Sequence, residues 1–464
     1  MKKSSVKNLT VGSPMKLILG FLVPLLGGLL FQQLYNMVDT LVVGRYLGVN
    51  ALAGVGSTGS INFLVLGFCI GICNGFVIPV AQKFGEGDED GLRRFVANSF
   101  WLSAAFAVVI TVVVCLLCST VLHWMDTPLD IFDYAFDYIF VIFLGIPVII
   151  LYNLLSGIIR SLGDSRTPIY FLVLSSLLNV AFDILSVQVL GMGVNGPAWA
   201  TVVSQAISGL LCLAILFKRY PILRLSRDDL RPRKAELLRL MSMGFPMGLQ
   251  YSITAIGSIV VQAAVNGLAA NYIAAVTVGN KINQLFICVF DAMGTTMAVY
   301  GAQNYGAMKL DRLHKGVTSC VLLAVGYSLL VLPVMIFFGA DLAQLFIDSS
   351  EPLATRLEIA QYARQFLICN GAFYIALSLV NILRFMIQGL SFTKQAIFAG
   401  IFEMISRCIC GFWLTGYWGF TVICFANPAA WVCADIFLIP AYFISVKTLK
   451  RRHAQALAQQ AVPA

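Results

Sequence analysis

Twelve apolar segments, each long enough to cross a bilayer, leave this chain few folds to choose from. They cover roughly residues 15–43, 51–82, 95–120, 131–158, 168–190, 196–217, 236–262, 272–300, 316–340, 356–388, 395–415 and 419–446. A spanning helix needs about 20 apolar residues and a spanning strand about half that, so runs of this length predict helices. Charged residues are 11% of the chain, against about 25% in a soluble domain. The expected fold is all-α, with twelve transmembrane helices. The intervening stretches GEGDEDGLRR (85–94), LGDSRTP (162–168), GMGVNGP (191–197) and 218–234 read as loops.

The formal net charge is +9, which in a soluble chain would suggest nucleic acid. Here the charge reports topology instead. Of 31 Lys and Arg, 26 fall on the side of the loops that holds the N-terminus, starting with Lys2, Lys3 and Lys7 and including Arg160 and Arg384. Arg45, Arg356 and Arg364 fall opposite, and Lys281 and Arg407 lie within spans. This asymmetry puts both termini in the cytoplasm, the membrane being the cytoplasmic membrane of a prokaryote. The first run is too long for a signal-peptide core and is expected to stay as the first span. Most of the 12 cysteines lie in apolar runs and read as packing, including Cys115 and Cys118 of a CxxC. His123, His314 and His453 are expected in loops or the tail. No membrane-embedded catalytic or metal cluster is therefore expected, and no cofactor beyond a coupling ion.

A repeat runs through the chain. Pro24 matches Pro246 at an offset of 222, and Gln82, Gly85, Asp90 and Leu92 match Gln303, Gly306, Asp311 and Leu313 at 221. Leu162 matches Leu390 at 228. The expected organisation is a six-helix lobe (1–217), a basic linker (218–235), a second six-helix lobe (236–447) and a tail (448–464). Each lobe has an even number of spans, so the two are parallel repeats about an axis along the membrane normal. Gly67, Gly71 and Gly75 line one face of the second span, the pattern of a close helix contact.

Polar residues inside spans are scarce. Span one carries Gln32, Gln33, Tyr35, Asn36 and Asp39, span four Asn153 and Ser156, span five Asn179 and Asp183, and span six Thr201. An acid in a membrane helix is costly and marks a functional site by default. Asn179 and Asp183 are four apart and share a helix face. No base in the first half lies at the depth of Asp39 and Asp183. Such a pair can hold a proton or, with amide and hydroxyl oxygens, a bare cation; the alternative is that both acids sit wetted at the headgroups. The second half lacks the pair, because Val261 and Gly411 occupy the matching positions. Its own membrane charges are Lys281, Asp291, Glu403, Arg407 and Asp435. Glu403 and Arg407, four apart, read as a structural pair. Lys281 and Asp291 either pair or line a cavity.

The run PLLGGLLFQQLYNMVDTLVVGRYLGVNALAGVG, the second opening GFPMGLQ, the stretch AQKFGEGD and the loop SGIIRSLGDSRTP together resemble the MATE family of multidrug and toxic compound extrusion transporters, most of all its DinF-like branch. The similarity spans nearly the whole chain. It implies a twelve-helix, two-lobe exporter of organic cations and other amphipathic drugs, driven by protons or sodium ions. The family's helix-one hinge falls on Pro24, its cation-coupling residues on Asp39, Asn179, Asp183 and Thr201, and a further cavity position on Asn153. Gln32, Tyr35, Asn36, Lys281 and Asp291 complete the expected cavity. Other branches place an acid on helix seven, and here FPMGLQYSITAIGSIVVQ (245–262) has none. The alternative is a lipid-linked precursor flippase, which would need bases in its cavity, where only Lys281 and Arg407 stand. The expected partners are small-molecule drugs and the lipid bilayer, not nucleic acid, and the expected state is a monomer.

Overall fold

The computed structural model describes residues 8–125, 127–347 and 352–460. Lys2, Lys3 and Lys7 of the basic N-terminus lie outside them. Every regular element among the described residues is helical. The first half holds α1 (Pro14–Leu47), α2 (Val49–Ser57), α3 (Gly59–Glu86), α4 (Glu89–Trp124), α5 (Leu129–Leu144), α6 (Ile146–Ser161), α7 (Thr167–Ile184) and α8 (Asn195–Arg219). The second half holds α9 (Lys234–Asn266), α10 (Ala270–Gly306), α11 (Asp311–Gln344), α12 (Leu353–Ala372), α13 (Tyr374–Gly389), α14 (Thr393–Cys408), α15 (Thr415–Trp418) and α16 (Phe420–Gln460). A π-helical turn follows α7 at Leu185–Val189 and another follows α14 at Ile409–Leu414.

Ten helical stretches among the described residues are long and apolar enough to cross a membrane, and two bent pairs bring the number to twelve. The protein is therefore a multi-pass membrane protein. Its outward side chains agree, with Leu116 77% exposed and Phe337 74% exposed, as lipid-facing positions allow and water-facing ones do not. The bent pairs are α5 with α6, at 48°, and α12 with α13, at 49°. The first bends at Gly145 and the second at Phe373, which lies 228 residues on, so the bend belongs to the repeat.

The turns repeat as well. Asp88 caps α4 by accepting from the Gly91 N–H at 2.8 Å. Asp164, two residues ahead of the α7 N-cap, holds the corresponding turn, accepting from the N–H groups of Arg166 (2.9 Å) and Thr167 (3.0 Å). Gly87 and Gly163, ahead of these aspartates, are left-handed, with φ of 80° each. Their partners in the second half, Met308 (φ 53°) and Ser391 (φ 73°), keep that backbone without being glycine.

The chain gathers into two compact units. One holds Val23–Ser252, and the other holds Leu9–Leu22 with Ile253–Ala464. The division falls inside helices α1 and α9 rather than at the 218–235 linker. The physical reason is that the linker is fastened to the first unit. Trp101 Nε1 donates to the Leu230 carbonyl at 2.9 Å, and the Arg233 N–H donates to Asn98 Oδ1 at 2.9 Å. Arg93 also pairs with Asp229 at 3.5 Å. Along α3, Gly71 and Gly75 then admit the backbone of α9 at Met247 and Gly244, with Gly67 opposite Tyr251.

The segment before α1 is fastened to the second unit in the same manner. The Leu9 N–H donates to Gln303 Oε1 (2.9 Å), and the Leu9 carbonyl accepts from Asn304 and Arg312 at 3.4 Å each. Lys309 donates to the Thr10 carbonyl at 3.0 Å. The core of the first unit is built on Phe76, Leu154, Ile158 and Leu162. In the second unit Phe366, Phe420 and Ile423 share a buried cluster, with the ring of Tyr272 stacked 4.7 Å from that of Phe420.

Candidate functional site

The expected coupling residues come together in the first unit. Asp39 on α1 and Asp183 on α7 lie within hydrogen-bond reach of each other. Asp183 is fully buried and Asn179 is 1% exposed, whereas Asp39 is half-buried. The Asn179 amide, turned so that both neighbours are satisfied, donates to Asp183 Oδ2 at 3.3 Å. In that orientation it accepts from the Thr201 N–H at 3.3 Å and from Thr201 Oγ1 at 3.1 Å. Tyr35, one turn before Asp39, hydrogen-bonds Thr201. Tyr138 of α5 faces the same two carboxyls. Nothing in the sequence singles it out, because a tyrosine in an aromatic-rich run reads as packing.

Each element places its residue for a local reason. Tyr35 and Asp39 are four apart on α1, as Asn179 and Asp183 are on α7, so each pair projects from one helix face. Asp183 stands at the end of α7, and the Ser186 hydroxyl in the following π-helical turn donates to its carbonyl at 3.1 Å. Asp39 Oδ1 and Asp183 Oδ1 are both buried and have no hydrogen-bond partner among the described residues. Two carboxyls at this range repel unless a proton lies between them or a cation sits against both. The side chains around them offer acceptor oxygens and no base, so the arrangement is suited to bind and release one positive charge.

The other expected cavity residues do not join this cluster. Gln32 and Asn36 are exposed on α1. Asn153 donates to the Ile149 carbonyl of its own helix at 2.8 Å. Pro24 lies within an unbroken α1, one residue after the point where that helix passes between units. Lys281, which is exposed, and Asp291, which is half-buried, both lie on α10 in the second unit. The two do not pair, because ten residues of one continuous helix separate them, about 15 Å of rise.

The second unit carries a different polar core. Arg384 on α13 forms an ion pair with Glu403 on α14, and the two are 5% and 3% exposed. Arg407 reaches Glu403 only at 4.0 Å and donates to the Thr254 carbonyl at 3.4 Å. The expected Glu403–Arg407 pair is thus the weaker half of a triad. Arg384, counted among the loop bases, lies inside a helix, and so does Arg160, in the last turn of α6. His123 and His314 fall on helices rather than in loops, at the end of α4 and the start of α11, while His453 lies in the tail, on α16. At the 228-residue offset, Arg384, Glu403, Arg407 and Gly411 stand where the first unit has Ser156, Ser175, Asn179 and Asp183. The second unit therefore fills the place of the carboxylate site with an ion-paired Arg–Glu–Arg cluster.

The MatE family model matches residues 24–185 and 246–413, one stretch in each half. The probable multidrug resistance protein YoeA of Bacillus subtilis strain 168 is 30% identical over 344 residues, 72% of this chain and 73% of its own. The multidrug export protein MepA of Staphylococcus saprophyticus is 21% identical over 406 residues, 86% of this chain and 88% of its own. Among solved structures, an outward-facing multidrug resistance MATE transporter superposes with a TM-score of 0.88 at 23% identity, covering 97% of this chain and all of that one (100%). At that identity the likeness shows the fold alone.

Proposed function

The chain belongs to the MatE family, and on that premise we propose that it is a cation-coupled exporter of amphipathic, mostly cationic drugs. It works in the cytoplasmic membrane of a prokaryote, with both termini inside, as a monomer that moves its cargo without changing it chemically. The relatives named for multidrug resistance and export support this reading. The observation that carries it is the Asp39–Asp183 contact, closed by Asn179, Thr201 and Tyr35.

A proton or a sodium ion entering this cluster cancels one carboxylate charge in a low-dielectric site. Asp39 and Pro24 are on the same helix. Proline supplies no backbone N–H to the preceding turn, which makes a bend there inexpensive. An ion that binds one α1 conformation better than the other shifts the balance between them. Drug and ion then compete for the first unit, and loading the ion expels the drug.

The test is dye efflux from pump-deficient cells. Asp39→Asn and Asp183→Asn should each abolish export of a cationic dye, and export at wild-type rates by both variants would refute the coupling. Imposing a pH gradient or a sodium gradient, each alone, identifies the driving ion.

A further inference from the structure

The first unit holds one cation that the exporter reading leaves unused. Arg160, in the last turn of α6, is only partly accessible. Tyr152 on the same helix, Cys212 on α8, Tyr251 on α9 and Cys73 on α3 face it. None of these is a carboxylate, and no ion pair among the described residues includes Arg160. A guanidinium drawn into a membrane helix without a carboxylate partner carries a desolvation penalty.

The repeat separates a structural role from a binding role. A base near a helix C-terminus gains from the carbonyls there. Yet α13 ends as α6 does, with Leu390 in the place of Leu162, and Gln388 stands where Arg160 would be. The same turn therefore closes without a cation. The two buried arginines of the second unit, Arg384 and Arg407, both share Glu403. Asp164, four residues after Arg160, is instead engaged by the N–H groups of Arg166 and Thr167 and by the Tyr220 hydroxyl, and the membrane acids Asp39 and Asp183 cannot serve Arg160 either. α7 begins at Thr167, and Asp183 lies sixteen residues further along it, about 24 Å of helical rise.

We propose that Arg160 is an anion-recognition point, binding the carboxylate of an aromatic amphiphile whose apolar body rests on Tyr152 and Tyr251. The planar guanidinium offers two parallel N–H donors to the two carboxylate oxygens, and an enclosed site strengthens such bonds. The inference extends the exporter reading, on which it rests, from cationic cargo to compounds that carry an acid group.

The test is a binding titration of the full-length protein in detergent near neutral pH. The probes are pyrenebutyric acid and its methyl ester, which share the aromatic body and chain and differ in whether the carboxylate is free. Wild type should bind the acid at least about tenfold more tightly than the ester, a difference of about 1.4 kcal/mol. Arg160→Gln installs the residue that the second unit itself uses and should bring the ratio to about one, while Arg160→Lys, which lacks the fork, should fall between. Equal affinities in wild type overturn the proposal. So does a ratio unchanged in Arg160→Gln or, if that variant does not fold, in Arg160→Lys. Binding is read without transport, so a wild type that exports no cationic dye would remove the exporter reading while leaving an acid preference standing.

Discussion

A Cβ placed on Gly75 would lie 2.4 Å from the Cα of Gly244, so α3 and the first half of α9 meet there backbone to backbone. The contact loosens along the glycine stripe. A Cβ on Gly71 would meet the Met247 carbonyl oxygen at 2.7 Å, whereas one on Gly67 would meet the Tyr251 Cβ at an ordinary 3.5 Å. Gly75→Ala and Gly71→Ala should each cost about 1–3 kcal/mol, and Gly67→Ala close to nothing. Thermal unfolding of the purified variants in detergent measures this, and equal losses at all three positions would contradict the graded contact.

Met308 is 43% exposed and sits at φ 53°, a backbone state its counterpart Gly87 reaches freely. An L side chain pays about 1–2 kcal/mol there, partly offset by the entropy glycine loses on folding. Met308→Gly should therefore stabilise by about 0.5–1 kcal/mol, and Gly87→Ala should destabilise by about 1–2 kcal/mol. Nothing lies within 4 Å of a Cβ built on Gly87, so any loss there is backbone strain alone. The shift in melting temperature reads both variants.

The buried Arg384–Glu403 pair should be far more sensitive to losing one partner than to losing both. Glu403→Leu strands two guanidiniums and should cost about 3–5 kcal/mol, and Arg384→Met should cost a similar amount. The double variant should recover part of that loss, since one guanidinium rather than two is then left without Glu403. A double-mutant cycle on unfolding midpoints gives the coupling energy, and strictly additive losses would mean that the pair is not coupled.

Asp88 makes stability depend on acid outside the membrane. The Lys83 ammonium first, then the Gly91 N–H, hold its carboxyl below the usual carboxylate range. A depressed value in the folded state means the contribution is complete above the ordinary value of about 3.9 and fades as pH falls through the folded value. Asp88→Ala should cost about 1 kcal/mol near neutrality and almost nothing once the pH is well below the folded value. A deficit that stays constant across this range would remove the carboxylate from the account.

The twelve runs were legible because bilayer thickness sets their length. The bends at Gly145 and Phe373 were not, because an apolar run reads the same straight or bent. Asp39, Asn179, Asp183 and Thr201 stood out because polar residues are rare in such helices, and the structure brings all four together. Arg384 was misplaced because a base near the end of a run looks like part of the following loop. The repeat held the remedy, since Arg384 matches Ser156, which already read as part of span four. The division inside α1 and α9 left no mark in composition. It depends on which helix the glycine stripe of α3 meets, and that is a tertiary fact.

The fastening of Leu9 and Thr10 to the second unit sets an order of events at the ribosome. These residues are synthesised ahead of the rest of their unit, since Gln303, which accepts from Leu9, follows 294 residues later. At about 5–20 residues per second the wait is about 15–60 s. The first unit cannot close early either, because Gly244, Met247 and Tyr251 must emerge before the glycine face of α3 is covered. A chain released at the linker would leave one lobe uncovered and deprive the other of its opening segment, so the two halves of this duplicated protein mature as a single translation product.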